Sequence, residues 1–201
     1  MSVVTANPPL TFHERPLGRL TVKKYEAMVA SGLLTKQDRC ELIEGALVTK
    51  MGKRERHATG AEKSSQAIAR SLPADWHVRH DAPVRIPDRD SEPEPEISVA
   101  FGKPDDCRKR HPGPKDLALV VEVSDTTICA DRALAETYIG GGIPVSWILN
   151  VRDRQLEIHT RGSAAPAILG ETELVDVLIA GACVGRIAVA DLLPLDEGER
   201  A

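Results

Sequence analysis

The chain has 201 residues, with 26 Lys and Arg against 30 Asp and Glu and a formal net charge of −4. That balance excludes a uniformly basic nucleic-acid binder while leaving local basic patches open. Apolar residues reach 42% but aromatics only 3%, so a core must be built from Val, Ile, Leu and Ala. Cys40, Cys107, Cys129 and Cys183 are far apart, with neither zinc-site spacing nor the density of a disulfide framework. No apolar run reaches the ~18 residues of a membrane span, and the N-terminus lacks a charged-then-apolar signal pattern. These features predict a cytoplasmic protein with reduced thiols, a single domain over residues 1–201, and loose ends in "MSVVTANPP" and "LDEGERA".

In chain order, "LTVKKYEAMVASG" (20–32) predicts a short amphipathic helix with Thr21 as its N-cap and Gly32 as its stop. "CELIEGALVTKM" (40–51) alternates about a Glu44-Gly45 turn and predicts a hairpin. Residues 56–72 place Ala61, Ser65, Ile68 and Leu72 at helical spacing, ended by Pro73; "WHVRHDAPVRI" (76–86) alternates as a strand. "EISVAF" follows as a strand, then a charged, Pro-rich loop over 103–116. "LALVVEVS" (117–124) is nearly all apolar, as expected of a central strand buried on both faces. "ADRALAETYIGGGIP" predicts a helix capped by its glycines, not a phosphate loop, which would precede a helix. "VSWILNV" and "RQLEIHT" predict two strands about an Arg152-Asp153 turn, and "VADLLP" a terminal helical turn. Helices flanking a mixed sheet make the class α/β or α+β.

The chemistry concentrates in "SEPEPEISVAFG" (91–102) and the central strand. Period-2 alternation puts Leu117, Leu119, Val121 and Val123 on one face and Ala118, Val120, Glu122 and Ser124 on the other. Glu122 is thus one acid in an apolar strand, and Glu96 opens a neighbouring one. Burying a bare carboxylate costs several kcal/mol or more, so each must be paired, protonated or bound to a metal. A hard ion such as Mg²⁺ would bind one or two carboxylates plus water and phosphate oxygens. Spacing alone leaves equally open that Glu96 is a solvated loop acid and that Glu122 pairs with an arginine.

"PEPEISV…LALVVEVSDT…DRALAETYIGGGIPVSWILNV", together with "LTVKKYEAMVASGLLTKQDRCELIEGALV", resembles the Uma-type restriction-endonuclease family, a branch of the PD-(D/E)XK nuclease superfamily. The likeness spans about residues 17–194, in the order and spacing of segments more than in any one motif. It implies a restriction-endonuclease-like core with an N-terminal helix and β-hairpin, cleavage of DNA dependent on Mg²⁺ (or Mn²⁺), and a homodimer. Pro95-Glu96 falls where the family has Pro-Asp, and Glu122 on the acid of the second metal-binding strand, so the implied metal ligands are Glu96 and Glu122. Glu41 matches a front-end glutamate near the site, and His57 a histidine at the start of the next helix.

Two departures accompany the likeness. Glu96 replaces aspartate and adds a methylene. The superfamily lysine would stand two residues after Glu122, where Ser124 is found, or in this branch about one turn before Tyr138, where Leu134 and Ala135 are found. Arg132 is close but should point to a different face. Such a lysine orients the attacking water, so activity is expected to be impaired. The basic run 50–56, with Lys53, Arg54 and Arg56, and the loop 107–115 are candidate contacts to DNA phosphates, a solvated face being the plainer reading. The leading expectation is a metal-dependent DNA endonuclease; the alternative is a non-catalytic nuclease fold that binds nucleic acid or protein.

Overall fold

The computed structural model describes residues 11–12, 15–16, 18–50, 52, 54–108 and 110–195. The ends expected to be loose lie outside these residues, Leu195 apart. The elements are β1 (Thr11–Phe12), β2 (Arg15–Pro16), α1 (Val22–Ala30), β3 (Cys40–Ile43), β4 (Ala46–Thr49), α2 (Glu55–Ala69), β5 (Trp76–His80) and β6 (Ile97–Phe101), then β7 (Leu117–Ser124), α3 (Ile128–Gly140), β8 (Val145–Asn150), β9 (Gln155–Thr160), β10 (Ala167–Gly170), β11 (Leu174–Ile179), β12 (Ala182–Ala188) and α4 (Val189–Leu192).

The main sheet has six strands in the order β10-β9-β8-β7-β6-β5. All its neighbours are antiparallel except β7 and β8, which run parallel and are joined through α3. A parallel pair needs such a crossover. β7 is interior and every one of its residues is buried, as its apolar run predicts. The fold is therefore a mixed sheet flanked by helices, as expected.

Two apolar layers clamp the sheet. On one face Leu119, Val121, Val123, Trp147 and Leu149 pack with Ile68 of α2, Val175 and Val177 of β11, Ile187 of β12, and Leu192 of α4. Each such side chain, fully buried, contributes about 1.5–3 kcal/mol by removal from water. On the other face Val120 packs with Tyr138 of α3, Ile143, Val84 and Ile86. α1 and β3 form a smaller cluster of Val22, Tyr25 and Leu42 outside the sheet, and Thr21 caps α1 by accepting the Lys24 N–H at 3.3 Å.

Two details differ from the sequence expectation. The alternation assigned to β7 holds from Leu119 onward but breaks before it. Val99 pairs with Leu119 and Ala100 with Leu117, so Ala118 is an inserted bulge residue, and bulges reset which face a side chain takes. Leu117 accordingly joins the Val120 layer and Ala118 the Leu119 layer. The strand expected over 76–86 ends at His80. Asp81 takes a left-handed φ of 42°, and Pro83 and Pro87 lack the N–H a ladder needs.

Candidate active site

Five elements bring ionisable side chains to one cavity of about 700 Å³: Glu41 from β3, His57 from α2, Glu96 just before β6, Glu122 from β7 and Asp131 from α3. Each is positioned by local chemistry. Glu44 (φ 51°) and Gly45 (φ 78°) make the left-handed two-residue turn a hairpin favours. The Glu44 carboxylate then accepts Arg89 Nε at 2.7 Å and Thr137 Oγ1 of α3 at 2.9 Å. These bonds tie the β3–β4 hairpin to α3. Glu41 Oε2 accepts the Glu94 N–H at 2.8 Å. Gly60 lets α2 lie close on the sheet, because a Cβ there would stand 3.2 Å from Leu149 and Val151. His57, one turn earlier on α2, thereby reaches Glu96.

Glu96 is the hub. Its Oε1 lies 3.2 Å from His57 Nε2, with both side chains 13% exposed, and its Oε2 accepts the Val123 N–H of β7 at 3.2 Å. Glu122, next to Val123, lines the same cavity and feels the Glu96 charge. Glu122 is buried and accepts Tyr138 Oη–H at 2.6 Å. Burial first, and the adjacent Glu96 charge second, hold the Glu122 carboxyl well above the usual carboxylate range. Burial likewise raises Glu41, against the Glu94 N–H bond and the Lys50 charge. Burial raises Asp131 too, although Thr127 Oγ1 donates to it at 2.7 Å. Of the states open to Glu122 in the sequence, the arginine pair gives way to contact with Tyr138 in a buried position that favours the neutral carboxyl.

The structure brings together Glu41, His57, Glu96 and Glu122. The three basic residues assigned to DNA are less uniform. Arg54 lines the mouth of the cavity, 70% exposed and 3.9 Å from Asp125; Arg56 is exposed on α2; Lys53 lies outside the described residues. In the 107–115 loop, Arg110 forks onto Asp116 at 2.6 and 3.0 Å. Arg132 forks onto the buried Glu157 of β9 at 3.0 and 2.6 Å, on a different face as expected. Leu134 lines the cavity, whereas Ala135 is fully buried. Sequence reasoning treated Lys50 only as one member of a basic run. The structure places it in the cavity wall, paired with Glu94. The signal was slight: one lysine at a strand's end, 44 positions from its partner.

Among the described residues, no group of three or more His, Cys, Asp or Glu side chains is placed to hold an ion unaided. Mg²⁺ does not require one, since it takes one or two carboxylates and completes its shell with water and phosphate. The buried Glu122 and the part-buried Glu96, both lining the cavity, form a donor set that fits such an ion.

The architecture is a nuclease fold. A crystal structure from Anabaena variabilis, described as a "putative nuclease belonging to DUF820", superposes with a TM-score of 0.63 at 13% identity, covering 86% of this chain and 97% of that one. At that identity the likeness concerns the fold alone. No curated protein matches the chain. Residues 22–185 match the Uma2 family, described as "Putative restriction endonuclease", and the chain belongs to that family.

Proposed function

We propose that this protein is a metal-dependent endonuclease hydrolysing phosphodiester bonds in DNA, at a rate reduced by the missing helix lysine. The observation that carries the reading is that Glu96 and Glu122 line one open cavity, with Glu96 holding the N–H of Val123, the residue next to Glu122. Two such groups repel, and a divalent cation between them relieves the strain. Family membership supports the substrate class and a divalent-metal requirement.

In this reading Glu96 and Glu122 hold Mg²⁺ or Mn²⁺. Bound there, the ion lowers the pKa of a ligated water and offsets phosphate charge. The chain's own groups prepare the site. Tyr138 Oη–H fixes one Glu122 oxygen. The Val123 N–H and His57 fix the two oxygens of Glu96. His57 also stands where a proton can be exchanged with Glu96. Glu41, which lines the same cavity with its carboxyl raised by burial, is a candidate proton carrier. Arg54 and Arg56, with Lys53, supply sequence-independent contact to phosphates.

The protein acts in this account as a single-domain cytoplasmic enzyme and as a homodimer, since two copies about a twofold axis can cut both strands. Among the described residues no helix is long and apolar enough to cross a membrane.

One observation favours the second reading, a nuclease fold kept for binding nucleic acid or protein: α3 contains no lysine, and Leu134 and Ala135 stand in its place. A plasmid-nicking assay separates the two. With Mg²⁺ or Mn²⁺ the parent should convert supercoiled DNA slowly to open circles. Glu122→Gln, which preserves shape and removes the charge, should lower that rate about 10²-fold or more. A parent inert with both ions would establish the binding reading.

A further inference from the structure

We propose that Lys50, which lines the same cavity, supplies the cationic donor that α3 lacks. The inference rests on the nuclease reading above.

Arg19, Lys50, Arg54 and Arg89 are the lysine and arginine side chains among the described residues that line the cavity. Among the described residues lining the cavity, Lys50 is the one lysine. Arg89 is committed to Glu44 through Nε and a second contact at 2.7 Å, and Arg19, which also lines the cavity, donates to the Glu44 carbonyl at 3.0 Å. Arg132 is committed to Glu157, outside the cavity. Arg54 is at the mouth, 70% exposed. Lys50 follows β4, and its backbone N–H is anchored to Arg39 O at 2.7 Å. Its ammonium pairs with the Glu94 carboxylate, and Glu94's own N–H holds Glu41. The Lys50 charge also acts on Glu41 directly, pulling its carboxyl down against burial. The ammonium is therefore in the field of the site's acids and is attached by a flexible four-carbon stem.

The pair that holds Lys50 is partly exposed, 27% for the lysine side chain and 29% for Glu94. Pairs of this kind are weak, so an arriving phosphodiester can take the ammonium from Glu94. In the step proposed, the water oxygen bonds to phosphorus and the bond from phosphorus to the leaving alkoxide breaks. The proton lost by water goes to solvent through the site's acids, and the alkoxide takes up one proton, giving a phosphomonoester and an alcohol. The Lys50 ammonium gains and loses no proton; it donates hydrogen bonds to a non-bridging oxygen as charge builds there. Loss of a donor of this kind typically costs about 10²–10³ in rate.

The test measures single-turnover nicking with Mn²⁺ for the parent, Lys50→Met, Lys50→Arg, Glu94→Gln and the double variant Lys50→Met with Glu94→Gln, beside Glu122→Gln. Lys50→Met should lower the rate about 10²-fold without weakening Mn²⁺ binding, and Lys50→Arg should recover part of the loss. Glu94→Gln removes the lysine's ion-pair partner. In the Glu94→Gln background Lys50→Met should still lower the rate about 10²-fold if Lys50 acts on phosphate, and should add no further loss if Lys50 merely braces the wall through Glu94; the latter overturns the inference. If Lys50→Met fails to fold, Lys50→Gln carries the same comparison. A parent whose nicking depends on Glu122 but not on Lys50 overturns this inference alone. A parent that does not nick overturns the nuclease reading and this inference with it.

Discussion

Glu96 sets the character of the site at the scale of single residues. Its one carboxylate reaches both His57 and the Val123 N–H, and its charge acts on Glu122. A second acid, Glu92, makes the energetic cost of such burial measurable away from the proposed ion. It is 5% exposed, its Oε2 is buried without a hydrogen-bond partner, and His111 Nε2 is 3.9 Å from its other oxygen. Burial first, then the charge of Glu26, pushes the Glu92 carboxyl up to about 7 from the ordinary 4.5. A folded-state pKa above the unfolded one means the native state holds the proton longer. Its contribution is fully present below pH 4.5 and is lost as pH rises through about 7. The slope within that window is about 1.4 kcal/mol per pH unit. Glu92→Gln should therefore gain stability over the parent progressively between those pH values, with the difference levelling above them. Urea unfolding of both proteins across that range checks this, and two parallel stability curves would contradict it. Glu122, Glu41 and Asp131 are raised as well and act with the same sign in both proteins.

At the scale of elements, α3 decides what the site lacks and what could be restored. Tyr138 and Asp131 turn toward the acids, Arg132 turns to β9, Leu134 borders the cavity and Ala135 is sealed in the core. Both Leu134 and Ala135 answer to the lysine's place in the sequence, but only the first has room for one. Leu134→Lys should fold and raise Mg²⁺-dependent nicking, about tenfold or more, by adding a donor. Ala135→Lys would bury an unpaired ammonium, which costs several kcal/mol, and should lower the melting temperature sharply or abolish folding. Thermal unfolding beside the nicking assay reads both; an active, stable Ala135→Lys would show that α3 sits otherwise. Much of this was legible from local pattern. The apolar run of β7, the Glu44-Gly45 turn, the Thr21 cap and the glycine stop of α3 each follow from chemistry within a few residues. That Glu41, His57, Glu96 and Glu122 meet was implied only by the family resemblance, and the structure places all four along one cavity. The Ala118 bulge, the early end of β5 and the arrival of Lys50 at that cavity were not legible, because each is settled by contacts between distant segments.

At the scale of the whole molecule, the fold places Glu41, Glu96, Glu122 and Asp131, with His57, at one opening in a protein of small net negative charge. Such a cavity repels bare phosphate and attracts cations, so DNA can approach the acids only once their charge is offset. The account therefore makes an ion the condition of function, and its central claim is that Glu96 and Glu122 share it. The most direct measurement titrates the purified protein, without DNA, with Mn²⁺ and follows the loss of the free-ion electron paramagnetic resonance signal. The account predicts one bound ion per chain, tighter as pH rises because binding must displace the proton Glu122 retains, and predicts that Glu122→Gln abolishes the binding. Absence of binding in the parent, or equal binding by Glu122→Gln, would contradict it.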